Sequence, residues 1–220
     1  MDAQMEKFNE AKKALQEIQV QEVITALKKR QADATFVPNK EAALQTVLSL
    51  IPEGSKVGYG GSLTLDELGI KEALKKGNYQ LIDRGKGGIT EEELFTLRRE
   101  GLFSDVFLCS TNALTRDGKM VNIDGSGNRL SALTFGPKKI IVVAGVNKIV
   151  DDVERGLDRV RNYVAPLHAR RRGWDLPCAK VGRCVDCRSP RRICCTVTIT
   201  EFQRVKDRTT VVLVGETLGI

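Results

Sequence analysis

Between residues 8 and 30 the apolar positions Phe8, Ala11, Leu15 and Ile18, then Val20, Val23, Ile24 and Leu27, recur at three- and four-residue steps among Lys, Glu and Gln. That period predicts a helix, or a helix pair, packed across the main body. Downstream the period changes repeatedly. Short β-rich runs at 35–37, 56–59, 79–82, 106–109, 120–123 and 140–144 alternate with helical patterns at 40–51, 63–76 and 90–103. Strands alternating with helices predict crossover units on a largely parallel sheet. The run Ile140, Ile141, Val142, Val143, Ala144 is continuously apolar, as expected of a central strand covered on both faces. After it Val146, Ile149, Val150, Val153, Leu157, Val160 and Val164 form one stripe, with Asn147 placed to cap a helix and Pro166 to stop it. Two further runs, 196–202 and 209–216, alternate like antiparallel strands at a sheet edge.

Length and composition set bounds on this picture. With 220 residues, 41% of them hydrophobic, the chain can bury one substantial core with an appendage. The start carries Asp2, Glu6, Lys7, Glu10, Lys12 and Lys13 without an apolar run, unlike a secretory or transit segment. No stretch approaches the ~20 apolar residues of a membrane span. The expected location is the cytoplasm, with no membrane partner. The formal charge of +7 is concentrated: between His168 and Arg192 eight Lys and Arg stand against Asp175 and Asp186, a local +6. A basic cluster interleaved with cysteines can neutralise thiolates or bind an anion as readily as it can bind a phosphate backbone, so nucleic acid is not the favoured partner.

A reducing compartment disfavours structural disulfides, so the six cysteines are read by spacing. Cys178, Cys184, Cys187 and Cys194 lie in one short stretch rich in Pro, Gly, Arg and Asp. Four soft ligands on one loop suit an iron–sulfur cluster or, alternatively, zinc; a buried apolar set or a redox disulfide are the other readings. Cys195 adjoins Cys194 and cannot easily bind the same ion, and Cys109 ends an apolar strand and reads as core. His168 sits beside Arg170, Arg171 and Arg172, a poor setting for a neutral general base, although it could add a metal ligand.

Two glycine-rich segments follow strands. In the first, Gly58, Gly60, Gly61, Ser62 and Thr64 would let a backbone turn and the helix N-terminus behind it approach a phosphate or carboxylate. It matches neither a P-loop nor GxGxxG. In the second, Asp124, Gly125, Ser126, Gly127, Asn128 and Arg129 offer an acceptor, an amide and a cation where open α/β sheets place ligands. Either segment also reads as an ordinary structural turn.

Together with Thr111, Asn112, Ala113, Asp117 and Gly118, and with Phe135, Gly136 and Pro137, these segments resemble the lactate-utilisation (LUD) domain family, over most of residues 35–165. The resemblance implies a Rossmann-like fold related to ribose phosphate isomerase A, the glucosamine phosphate deaminases, the coenzyme A transferases and methenyltetrahydrofolate synthetase. It also implies ligands held across the two glycine-rich loops. Asp124 is followed here by Gly-Ser-Gly-Asn-Arg. The isomerase relatives carry an Asp-Gly-Ala-Asp-Glu type of loop there, so isomerase chemistry does not transfer. The cysteine hook is not a general feature of lactate-utilisation protein C.

The expected architecture is therefore α/β: a helical segment at 1–33, a core with a mostly parallel sheet flanked by helices at 34–166, a cysteine hook at 167–195 and edge strands at 196–220. The expected function is organic-acid utilisation. A small anionic metabolite would bind at the two loops, Glu67 and Asp124 would be the candidates for proton transfer, and the cluster would pass electrons to an iron–sulfur or oxidoreductase partner. A homo-oligomer is compatible with this. The rivals are a non-catalytic metabolite-binding or assembly protein with structural zinc, and a small-molecule transferase or ligase.

Overall fold

The computed structural model describes residues 3–220; Met1 and Asp2, at the start of the expected helical segment, lie outside them. One helix, α1 (Ala3–Lys29), takes up the whole N-terminal pattern. Val20, Val23, Ile24 and Leu27 on its second half are buried, whereas Phe8, Leu15 and Ile18 are exposed.

β1 (Asp33–Val37) leads to α2 (Lys40–Ser49), capped by Asn39, whose Oδ1 accepts from Ala42 N at 2.9 Å. β2 (Lys56–Tyr59) runs into two short helices, α3 (Leu63–Glu67) and α4 (Ile70–Lys76). The single helical pattern at 63–76 breaks at Gly69, which adopts a left-handed φ of 66°. β3 (Gln80–Leu81) precedes α5 (Glu91–Glu100), opened by a capping box between Thr90 and Glu93. Then come β4 (Val106–Cys109), β5 (Ala113–Thr115), β6 (Met120–Asp124), α6 (Asn128–Thr134) and β7 (Lys139–Gly145). The chain ends with β8 (Ile149–Val150), α7 (Val153–Arg159), α8 (Ala165–Arg171), α9 (Pro177–Val181), β9 (Thr196–Thr200) and β10 (Thr209–Val214).

Six strands form a wholly parallel sheet in the order β1-β10-β7-β4-β2-β3. One apolar layer on it includes α1 and α6 residues such as Leu27 and Leu130; the other includes Val47, Leu65, Ile70 and Leu74 from α2 to α4. A second sheet, β8-β5-β6-β9, stands beside it. Tyr59 of β2 is level with Leu108 of β4, and Leu108 with Ile141 of β7. The loops leaving these strands therefore emerge on one edge of the sheet.

Two details differ from the sequence reading. The 209–216 run is not an antiparallel edge: β10 lies inside the parallel sheet between β1 and β7 with all six residues buried. Val211 to Val214 are continuously apolar, the pattern of a strand covered on both faces, and only β9 takes an antiparallel edge, against β6. Nor do Asn147 and Pro166 bound a helix. Asn147 is held to the backbone of Leu218, and Asp152 caps α7 by accepting from Arg155 N at 2.8 Å. A π-helical turn at Val160–Val164 joins α7 to α8. Pro166 falls in the first turn of α8, where a missing N–H is tolerated.

Candidate functional site

A cleft of about 740 Å³ opens at the carboxyl ends of β2, β4 and β7, where α/β sheets gather ligand loops. Its walls come from both glycine-rich segments, from Ser110 to Asn112, from Val160 to His168, and from the hook at Arg191 to Cys194.

In the first segment Gly61, Ser62 and Thr64 line the cleft. Gly58 does not: a Cβ there would meet Phe107 and Ser104 at 3.1 Å, so its role is packing. A Cβ at Gly60 would meet Arg129 Cδ at 3.3 Å, so this glycine lets the arginine stem pass behind the turn. The anion-binding helix end read from the sequence is reduced. The helix is only five residues long, and Ser62 Oγ already accepts from Leu65 N at 3.3 Å. Glu67 lies outside the cleft lining and accepts from Gly219 N at 2.7 Å, fixing the C-terminal stretch.

In the second segment Asp124, Gly125, Ser126, Asn128 and Arg129 line the cleft, while Gly127, at φ 75°, turns the chain into α6. Arg129 is 8% exposed. Its Nε and Nη2 donate to Asp124 Oδ1 at 3.1 and 2.7 Å, Nη1 to Ser110 O and Asn122 Oδ1, and Nη2 also to Asn112 Oδ1 and Ile123 O. All its donor groups are engaged within the fold. Asp124 is equally engaged, since its Oδ2 accepts from Leu130 N at 3.2 Å. Arg129, expected to grip the ligand, and Asp124, expected to move protons, both line the cleft and also brace its loops.

Among the cations lining the cleft is a buried lysine that the periodicity and the motifs do not single out. Lys148 follows β7, is 4% exposed, and its Nζ donates to Thr64 Oγ1 and Ser110 Oγ, both at 2.9 Å. It forms no ion pair with a carboxylate among the described residues. Its pKa falls from 10.5 to about 7, first through burial and then through the charges of Arg159 and Arg129, against a smaller opposing pull from Glu67. Arg84 and Arg98 also line the cleft. The usable signal was position: Lys148 and Arg84 each stand just beyond a strand's carboxyl end.

The LUD domain profile matches residues 20–214. The chain belongs to the LUD domain family. Among solved structures it is similar to a DUF162 family protein from Deinococcus radiodurans, at 15% identity over 92% of this chain and 98% of that one, with a TM-score of 0.50. It is similar also to ribose 5-phosphate isomerase A from Neisseria gonorrhoeae, at 18% identity over 52% and 54%, with a TM-score of 0.35. The first likeness supports the α/β, Rossmann-like fold. No curated protein matches the chain.

The hook of this LUD protein is anchored at both ends. Cys178, on α9, is buried with Ala169 and Leu176, and Cys194 packs against Ile123, Val160 and Val164. Burial first, then the charges of Cys187 and Cys184, raises the Cys178 thiol. Burial, then Cys178 and Cys184, raises Cys194 to about 11. The four expected ligands are thus electrostatic neighbours. Cys195 is exposed and its Sγ turns to Arg192 O at 3.3 Å. Asp186, at φ 43°, directs its N–H to Cys184 Sγ at 3.4 Å, and Arg192 donates to the carbonyls of Cys187 and Cys194. Among the described residues no three His, Cys, Asp or Glu side chains converge closely enough to hold a metal as they stand. No described helix is long and apolar enough to cross a membrane.

Proposed function

We propose that this LUD protein serves organic-acid utilisation by binding a small 2-hydroxy or 2-oxo carboxylate in the cleft. Lys148 carries this reading: a buried ammonium held by two hydroxyls and by no carboxylate is stabilised by an incoming one. Ile123, Val160, Val164 and Ile220 supply an apolar wall for the ligand's carbon skeleton. Lys148, whose pKa burial brings down to about 7, joins Asp124 and Glu67 as a candidate for proton transfer.

Cys178, Cys184, Cys187 and Cys194 would hold an iron–sulfur cluster, with zinc the alternative. The donor set is soft, a backbone N–H already points at one sulfur, and arginines surround the loop. A bound cluster would supply one-electron transfer to an oxidoreductase partner, whereas zinc would make the hook a structural staple in a metabolite-binding protein. Holding either requires the thiols to draw closer than they stand.

Trp174 is the single tryptophan and lines the cleft, so its fluorescence reports occupancy. Lactate and pyruvate should titrate it, and Lys148→Met should weaken both at least about tenfold, the loss of one charge-assisted contact. No response to any short hydroxy or oxo acid at millimolar levels would refute the reading. Absorbance near about 400 nm with iron and sulfide separates cluster from zinc.

A further inference from the structure

A second set of cations in the cleft stands apart from Lys148. Arg84, in the loop after β3, and Arg98, on α5, both line it. They come from separate elements yet stand close enough that the charge of Arg98 adds to burial in lowering the Arg84 pKa. The Nε of each is buried and has no acceptor, and neither guanidinium forms an ion pair with a carboxylate among the described residues. The acids near Arg84 are engaged elsewhere. Asp83 accepts from Tyr59 Oη at 2.6 Å and from Gly85 N, Asp66 pairs with Lys71, and Asp124 holds Arg129. Two neighbouring half-buried cations, each with a buried Nε–H that lacks an acceptor, repel each other, and an anion between them would relieve both the repulsion and the unmet donors.

The setting favours a particular kind of anion. A Cβ placed on Gly61 would meet nothing nearer than Arg84 Nη2 at 3.8 Å, so the glycine turn leaves open space in front of the guanidinium. In its hydrogen-bond-satisfying orientation the Asn128 amide oxygen accepts from Arg84 Nη1 at 3.0 Å, which fixes the arginine against the second loop. Lys71 and Arg84 both lie over the Tyr59 ring, at 5.0 and 5.9 Å from its centroid. A planar carboxylate offers two oxygens and one charge. Two guanidiniums approaching from different elements are better met by a tetrahedral group with three oxygens and up to two charges.

We infer that Arg84 and Arg98 form a subsite for the phosphate group of a phosphorylated small acid, beneath the 60–62 turn. The inference rests on the cleft being a ligand site, as proposed above, and adds a second recognition point to the one at Lys148. A ligand carrying both a phosphate and a carboxylate would engage both.

The test is calorimetric titration of the full chain with inorganic phosphate, acetate and 2-phosphoglycolate, using wild type, Arg84→Gln, Arg98→Gln and Lys148→Met. Phosphate should bind wild type more tightly than acetate does, and each arginine variant should lose at least about tenfold in phosphate affinity. Phosphoglycolate should bind more tightly than phosphate, and Lys148→Met should remove that gain. Phosphoglycolate no tighter than phosphate would make free phosphate the ligand and overturn the phosphorylated acid. Phosphate affinity unchanged in both arginine variants would overturn the subsite, even if lactate still bound through Lys148. Phosphate binding through the arginines without any lactate or pyruvate response would keep the subsite and remove the organic-acid reading. Because the pair is repulsive, either substitution should hold or raise the thermal midpoint in phosphate-free buffer. A fall would make the arginines structural and also overturn the assignment.

Discussion

Arg129 and Asp124 are joined at two points, Nε and Nη2 of the guanidinium both donating to Oδ1 at 3.1 and 2.7 Å. The same arginine reaches Ser110 O after β4 and Asn122 Oδ1 on β6, so one side chain ties together the loops that wall the cleft. Replacing Asp124 with Ala strands a buried cation, and replacing Arg129 with Ala strands a carboxylate and several acceptors. Either change should cost on the order of 3–5 kcal/mol. In a chain of this size that lowers the thermal midpoint by roughly 10 °C, readable by circular dichroism. Arg129→Lys should recover little, because one ammonium cannot match the fork of acceptors. A midpoint within about a degree of wild type for all three would show that the brace is unimportant.

Lys148 should make carboxylate binding depend on pH. In the folded chain its pKa lies near 7 rather than 10.5. Above about 7 the amine is neutral before ligand arrives, and binding must take up a proton. Lactate affinity should therefore fall by up to about tenfold per pH unit on the alkaline side of 7 and level off on the acid side. The slope should vanish in Lys148→Met. A flat wild-type profile between about pH 6 and 9 would rule out this role.

The same residue should affect stability with the opposite sign. Between about 7 and 10.5 the unfolded chain binds a proton on Lys148 that the folded chain does not, so stability from this group rises with pH across that window. Below about 7 both states are protonated and the full penalty of the buried charge is present. Lys148→Met should raise the unfolding midpoint relative to wild type near pH 6, and the gain should shrink toward pH 10, as expected where function retains a costly group. A destabilised variant near pH 6 would mean that the hydroxyls of Thr64 and Ser110 depend on the amine.

The alternation of periods was enough to locate the sheet's main strands and the two loops, because strand and helix patterns reflect burial directly. Position within the sheet was less visible. Residues Thr209 and Thr210 made β10 look half-polar, yet both are buried, so an interior strand read as an edge. Side-chain roles were the least legible. Arg129 stands in the most conspicuous motif, and its bracing bonds to Ser110 and Asn122 are invisible there, whereas Lys148 and Arg84 sit in plain sequence and reach the cleft only through neighbours from distant segments. Thr64 and Lys148 are 84 residues apart and meet only through the sheet.

Gly136 belongs to the Phe-Gly-Pro segment and has φ 118°. A Cβ there would come within 2.5 Å of Leu102 O, a backbone atom that cannot turn aside. Gly136→Ala should therefore combine backbone strain with a steric clash and lower stability by roughly 2–4 kcal/mol. The cleft residues would be untouched, so ligand affinity of the remaining folded protein should be retained. Urea denaturation gives the stability change, and a loss below about 1 kcal/mol would mean that the 101–103 turn shifts to make room.

The hook and the cleft share a wall, so a metal bound at the hook, as proposed, should influence ligand binding. Arg192, Ile193 and Cys194 line the cleft, a Cβ at Gly125 would lie 3.3 Å from Ile193 Cα, and Cys195 N donates to Asp124 O at 2.9 Å. Drawing Cys178, Cys184, Cys187 and Cys194 onto an iron–sulfur cluster or zinc would fix that wall. Chelation should then weaken organic-acid binding several-fold and increase hydrogen exchange across 178–195. Cys194→Ser should abolish metal retention and reproduce both effects, whereas Cys195→Ser should leave metal content near wild type, since its thiol is exposed and turned to Arg192 O. Equal metal loss in the two variants would transfer the ligand role to either cysteine, and metal-free wild type with full affinity would separate the hook from the cleft.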